Sequence, residues 1–125
     1  MPPYERFRVW QESHQLVVSI YRTTESWPSR ELYGLTSQAR RAAFSIAANI
    51  AEGSAKKGAR EFRRFLDTAL GSTAELCYVL LLARDLGFIS ESVWQTLETQ
   101  RDHAGKQLWG LYDSVRRRVQ TQNGR

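Results

Sequence analysis

The side chains in this chain best suited to acid–base or metal chemistry are His14, His103 and Cys77, and their surroundings do not equip them for it. A di-iron site in a helical bundle draws on glutamate three residues before histidine on two helices; here Gln11 precedes His14 and Gln100 precedes His103. Cys77 is the only cysteine, so it forms no internal disulfide, has no metal-binding partner nearby and points to a reducing, cytoplasmic setting. The chain carries no Cys-x-x-Cys, no glycine-rich phosphate loop and no nucleophile elbow. Simpler readings fit each residue better. His14 lies on an apolar face of the first helical segment and reads as a hydrogen-bonded core or interface histidine. Cys77 reads as a small core residue. No catalytic residue, metal or cofactor is expected, and the chain is not read as an enzyme.

Two other constellations are better placed to act. Lys56, Lys57, Arg60, Arg63 and Arg64 crowd one short stretch, and Arg116, Arg117 and Arg118 stand together near the end. They account for much of the excess of 18 lysines and arginines over 13 aspartates and glutamates, a net charge of +5 that suits a polyanionic partner. The three arginines also have a plain structural cause, because cations at a helix C-terminus complement its dipole. The cluster from Lys56 to Arg64 has no such cause: it falls at a helix N-terminus, where the dipole disfavours positive charge. Phosphate is the partner that would use it. The second constellation is Gln38, Arg41, Ser45, Asn49 and Glu52, which at helical spacing form one narrow polar stripe, with Glu75 placed to meet Arg41 from a neighbouring helix. Either it is a polar seam that fixes helix or subunit register, or it lines a surface for ligand or nucleic acid.

The elements that must position these residues are helical. Only 3 prolines and 8 glycines punctuate 125 residues, which favours one domain of a few long elements. The spacing predicts helices over about 9–26, 35–52, 59–86 and 91–119. In the first, Trp10, Val17 and Tyr21 mark an apolar stripe flanked by Leu16 and Ile20, stopped by Trp27-Pro28. The second is apolar over more than one face, through Phe44 and a series of alanines, and so calls for neighbours on several sides. The third carries a heptad seam of Phe62, Leu66, Ala69, Thr73, Leu76, Leu80 and Ala83. Leu97, Ala104, Leu108, Leu111 and Val115 line the fourth. Gly53 and Gly87 read as residues just past helix ends, Tyr33-Gly34 as a turn using positive φ, and Ser90 as an N-cap. Ala42, Ala43, Ala47 and Gly71-Ser72 are small enough for close helix approach. No signal peptide, repeat, linker or long apolar run is visible, so no membrane partner is expected. The fold class is all-α, an up-and-down antiparallel four-helix bundle.

The run from Glu31 through Ala42, then Ser45 through Gly53, resembles the signature of the bacterial four-helix bundle proteins, also called 23S rRNA intervening-sequence proteins, which include the accessory variability determinants of diversity-generating retroelements. Val9-Trp10, Phe62 to Leu66, and Gly71-Ser72 with Glu75-Leu76 extend the match to nearly the whole chain. It departs at Ala47, where the family pattern has proline, and at Cys77, where many members carry a second acidic residue. The resemblance implies a homopentamer that binds RNA, or a reverse transcriptase together with its RNA template.

Up-and-down topology brings the N-terminus, the connection between the second and third helices and the C-terminus to one end. That end collects Arg6, Arg8 and both basic clusters, whereas the opposite end is about neutral. The resulting expectation is a non-catalytic oligomer whose basic end binds RNA or another nucleic acid through phosphate. The alternative is a protein-interaction scaffold that does not touch nucleic acid.

Overall fold

The computed structural model describes residues 3–123, apart from the side chains of 3, 6, 122 and 123. It contains α1 (Arg8–Thr24), α2 (Leu35–Ser54), α3 (Ala59–Asp85) and α4 (Glu91–Asn123), with short 3-10 turns at Pro3–Arg6 and Ser29–Glu31 and no strand among the described residues. Each helix packs on its neighbours in sequence, and α4 closes the ring on α1, with no diagonal contact across the bundle among the described residues. This is the up-and-down four-helix bundle that the periodicity predicts, with α2 and α4 each running slightly further than expected.

The heptad seam of α3 is buried along its whole length, from Phe62 to Ala83, against α2 and α4. Length and composition alone would let this helix cross a membrane. Its seam nevertheless does what the core helix of a bundle does, and Arg60, Arg63, Arg64, Asp67 and Glu75 interrupt its other faces. On α4, Leu97, Ala104, Leu108 and Val115 are buried as expected, and Val119 continues the line.

Helix α1 corrects the sequence reading. Its core face is Val9, Ser13, Leu16, Ile20 and Thr24. Trp10 and Val17 are half-buried and Tyr21 is exposed, so the predicted stripe is a second apolar line turned about 100° from the first. Two hydroxyl side chains inside the core hid the true face. Thr24 satisfies itself by donating to the Ile20 carbonyl at 2.8 Å, while Ser13 Oγ has no partner among the described residues.

The turns divide between expectation and surprise. Gly87 adopts φ 77°, and the Phe88 amide reaches back to the Ala83 carbonyl at 2.9 Å, closing α3 as predicted. Phe88 then packs on Trp27, the rings 5.8 Å apart. Ser90 caps α4 by accepting the Val93 amide at 3.1 Å. Gly34, however, has φ −113°, so positive φ is not why it is there. A Cβ at Gly34 would lie 2.7 Å from Glu31 Oε1, the oxygen that caps α2 by accepting the Leu35 amide at 3.0 Å. Gly53 does not follow α2 but lies buried inside it, where a Cβ would meet Phe65 Cβ at 2.8 Å. Its missing side chain lets α2 and α3 converge at their shared turn.

Ala42, Ala43, Ala47 and Ser72 are buried as close packing requires, but Gly71 is exposed and a Cβ there would meet nothing within 4 Å. Gly71→Ala should therefore raise the unfolding free energy by about 0.5–1 kcal/mol, the helix-propensity difference between the two residues. Urea denaturation checks this; a loss of stability would show that the position is covered.

Candidate nucleic-acid interface

The turn between α2 and α3 builds the basic end. Gly58, at φ 86°, stands at the N-cap of α3 and offers no side chain to its free amides, so the positive pole of the helix is left open. Lys56 and Lys57 flank that pole, both exposed, and Arg60, Arg63 and Arg64 follow on the first turns of α3. Lys56 and Arg64 lie over the Phe65 ring, at 5.4 and 5.1 Å from its centroid. Arg64 also pairs with Glu61 at 3.1 Å across an exposed surface. Among the described residues, Lys57 and Arg63 pair with no carboxylate. The contact of Cys77 with Glu98 sets the register of α3 against α4, and counting down both helices brings Arg116 opposite Ala59. The second basic cluster therefore reaches the same end of the bundle.

It does not arrive with its charge free. Asp113 receives Arg116 at 2.6 Å and Arg117 at 2.8 Å. The Arg116 hydrogen bond, reinforced by Arg117, holds the Asp113 carboxyl below the usual carboxylate range. Asp113 thus stays ionised at neutral pH and neutralises part of the cluster; Arg118, exposed, has no such partner among the described residues. The i,i+3 and i,i+4 spacing of Asp113 to these arginines is readable in the sequence. Arg8 is similarly engaged, pairing with Glu12 at 3.2 Å, while the side chain of Arg6 lies outside the described residues. At the opposite end two cations are engaged: Arg84 pairs with Asp85 and covers Trp94, and Arg40 donates to Thr24 at 2.9 Å and covers Tyr21, while Arg22 and Arg30 are exposed.

The polar stripe splits into two parts. Ser72 donates to Ser45 at 2.7 Å, joining α3 to α2, and Asn49 donates to Ser45 at 3.0 Å, so this portion is a seam between helices. Gln38, Arg41 and Glu52 are exposed, and Arg41 donates to Gln38 at 2.7 Å. Glu75 is exposed as well and forms no ion pair with Arg41, contrary to expectation, because Arg41 turns along its own helix instead.

His14 is not a core residue: it is exposed and stacks on Trp10, the planes 8° apart and the centroids 5.1 Å apart. His103 and Gln107 of α4 both reach Glu12 Oε1 on α1, at 3.1 and 3.0 Å, forming a clasp that the sequence reading missed. Cys77 is half-buried, its thiol 3.6 Å from Glu98 Oε1. Burial pushes that thiol above its ordinary pKa; Arg101 opposes the shift and Glu98 adds to it. A thiol held protonated is a poor nucleophile. Among the described residues no three His, Cys, Asp or Glu side chains converge as metal ligands.

Helix order and charge together define the class: an antiparallel four-helix bundle with a cation-rich end. The chain belongs to the 23S rRNA-intervening sequence protein family, whose model matches residues 5–110. Its fold is similar to a crystal structure of a protein of unknown function from the S23 ribosomal protein family of Bacteroides thetaiotaomicron, with a TM-score of 0.75 at 22% identity over 83% of this chain and 97% of that one. No curated protein matches the chain.

Proposed function

We propose that this protein is an oligomeric, non-catalytic bundle whose basic end binds RNA through its phosphates. The observation that carries the reading is the turn from Lys56 to Arg64. Cations gather around an uncapped helix N-terminus, where the helix dipole disfavours positive charge, and two of them, Lys57 and Arg63, have no carboxylate partner among the described residues. An uncapped helix N-terminus and adjacent cations attract the same ligand, an anion with several acceptor oxygens. A 23S rRNA-intervening sequence family fits an RNA partner. The polar seam stays structural in this reading, and neither cofactor nor metal is required.

Assembly has separate support. Tyr33 is 94% exposed, Tyr78 64% and Trp109 55%, an unusual set of large apolar side chains for a free surface. Resemblance to the four-helix bundle proteins makes the number five, and a ring would carry every basic end to one face, summing their fields. Light scattering after gel filtration should return about five times the 14.4 kDa chain mass; a monomer at micromolar concentration overturns the assembly.

Two observations test RNA binding. Protein purified at low salt should carry nucleic acid, visible by its ultraviolet absorbance and removed by ribonuclease or high salt. Added RNA should bind with an affinity that falls linearly with salt on a log–log plot. A protein that carries none and binds none at low salt is instead a scaffold for another protein, such as a polymerase.

A further inference from the structure

Resting on the RNA reading of the basic end, we infer that the groove between α1 and α2 holds an unpaired nucleobase of the strand whose phosphates lie on that end. The groove measures about 400 Å³ and is lined by Tyr4, Trp10, His14, Phe44 and a floor of alanines, with Glu52 at its rim. Its apolar lining joins Trp10 and Val17, which back onto the core and keep an exposed side, to Phe44 and the alanines of α2.

The aromatic side chains are arranged rather than scattered. Trp10 and His14 are stacked nearly parallel, and the Tyr4 ring sits 4.8 Å from Trp10. The turn that carries Tyr4 is tied to α1, because Gln11 donates to the Glu5 carbonyl at 2.8 Å and the Phe7 amide to the Tyr4 carbonyl at 3.0 Å. Aromatic side chains arranged in this way are what proteins offer to unpaired bases, which stack on them.

Position supplies the charge complement. The groove pairs the amino-terminal half of α1 with the carboxy-terminal half of α2, so it opens toward the basic end. Lys56 follows Glu52 by one helical turn of sequence. Four helical residues rise only about 6 Å, so a strand with its phosphates on Lys56 and Lys57 would lay a base at the Glu52 side of the groove. Glu52 favours guanine: its carboxylate accepts two adjacent hydrogen bonds from guanine N1–H and N2–H, one from the amino group of adenine or cytosine, and meets the single N3–H of uracil only between two carbonyl oxygens that repel it. The occupant is therefore single-stranded or looped RNA, read by stacking and by one carboxylate, rather than a duplex gripped by shape.

The test compares a single-stranded RNA of about ten guanine-containing nucleotides with a duplex of the same length, by fluorescence anisotropy at fixed salt. Wild type should prefer the single strand. His14→Ala and Trp10→Leu should lower single-strand affinity roughly tenfold, the scale of one base stack, and leave the salt slope and duplex binding unchanged. Glu52→Gln should lower affinity for the guanine strand more than for a uracil strand. His14 is exposed, so its variant does not put the fold at risk. If both ring variants bind the single strand as wild type does while neutralising the basic cluster abolishes binding, the groove inference falls and the basic-end reading stands. If the ring variants instead lower the assembled mass, a second copy of the chain covers the groove and the inference falls. If wild type binds neither RNA, both readings fall together.

Discussion

Replacing Lys56, Lys57, Arg60, Arg63 and Arg64 together by glutamine should weaken RNA binding roughly a hundredfold or more near about 0.1 M salt, and should flatten the salt dependence by about 0.7–0.9 for each phosphate no longer neutralised. The weakening should be similar across RNA sequences, because phosphate contacts position a nucleic acid without reading it. The thermal midpoint should hold or rise, since the change relieves cations at the positive pole of α3. The exposed Arg64–Glu61 pair and the contacts of Lys56 and Arg64 with the Phe65 ring go with it, small losses at a solvated surface that offset part of that relief. Replacing Arg22 and Arg30 at the other end should do far less. Arg84 is unsuitable as a control, because it is bound to Asp85 and packed over Trp94. Asp113→Asn should act in the opposite direction and raise affinity a few-fold, because it releases Arg116 and Arg117. A salt titration of binding for these variants beside wild type decides the matter. Equal weakening from both ends would mean that only total charge counts.

Ala43→Leu should destabilise the bundle by about 1–3 kcal/mol. Ala43 is fully buried on α2, beside Ala39, Ala42 and Ala47, where the helices approach closely because each side chain is small. Leucine brings additional carbon atoms to a place with no void to receive them, so side chains or whole helices must shift. Thermal denaturation should record a drop of several degrees for each kcal/mol of stability removed. An unchanged midpoint would mean that the bundle holds space beside Ala43 that its burial conceals. Gly71→Ala also enlarges a small residue on a central helix, yet the expected sign is opposite, because the Ala43 side chain faces the neighbours of α2 and a Cβ at Gly71 faces open space.

Much of the architecture was legible because α3 states its phase without ambiguity: every residue of its predicted seam is buried. The phase of α1 was not legible, for a physical reason. It carries two apolar lines side by side, and spacing alone does not say which one meets the core. The line with the larger aromatic residues looked more like a core and lies outside it, while Ser13 and Thr24 occupy the interior. Gly34 and Gly53 are recognisable as special positions, but the reason for each lies in a side chain that the turn signal does not name: the Glu31 carboxylate for one, the Phe62 ring and Phe65 Cβ for the other. The basic end was visible as composition, because topology follows from helix count. Its internal neutralisation by Asp113 was visible too, in spacing that the sequence reading did not use.

The half-buried thiol of Cys77 gives the molecule a built-in gauge of its own opening. It sits where α3 faces α4, beside the Glu98–Arg101 pair, and burial keeps it protonated. Because alkylating reagents attack the thiolate, labelling should quicken whenever α4 lifts away and the sulfur meets more water. The rate at which a single atom is modified then responds to how often the bundle breathes along that seam, and a ligand that locks the helices together would announce itself by slowing it.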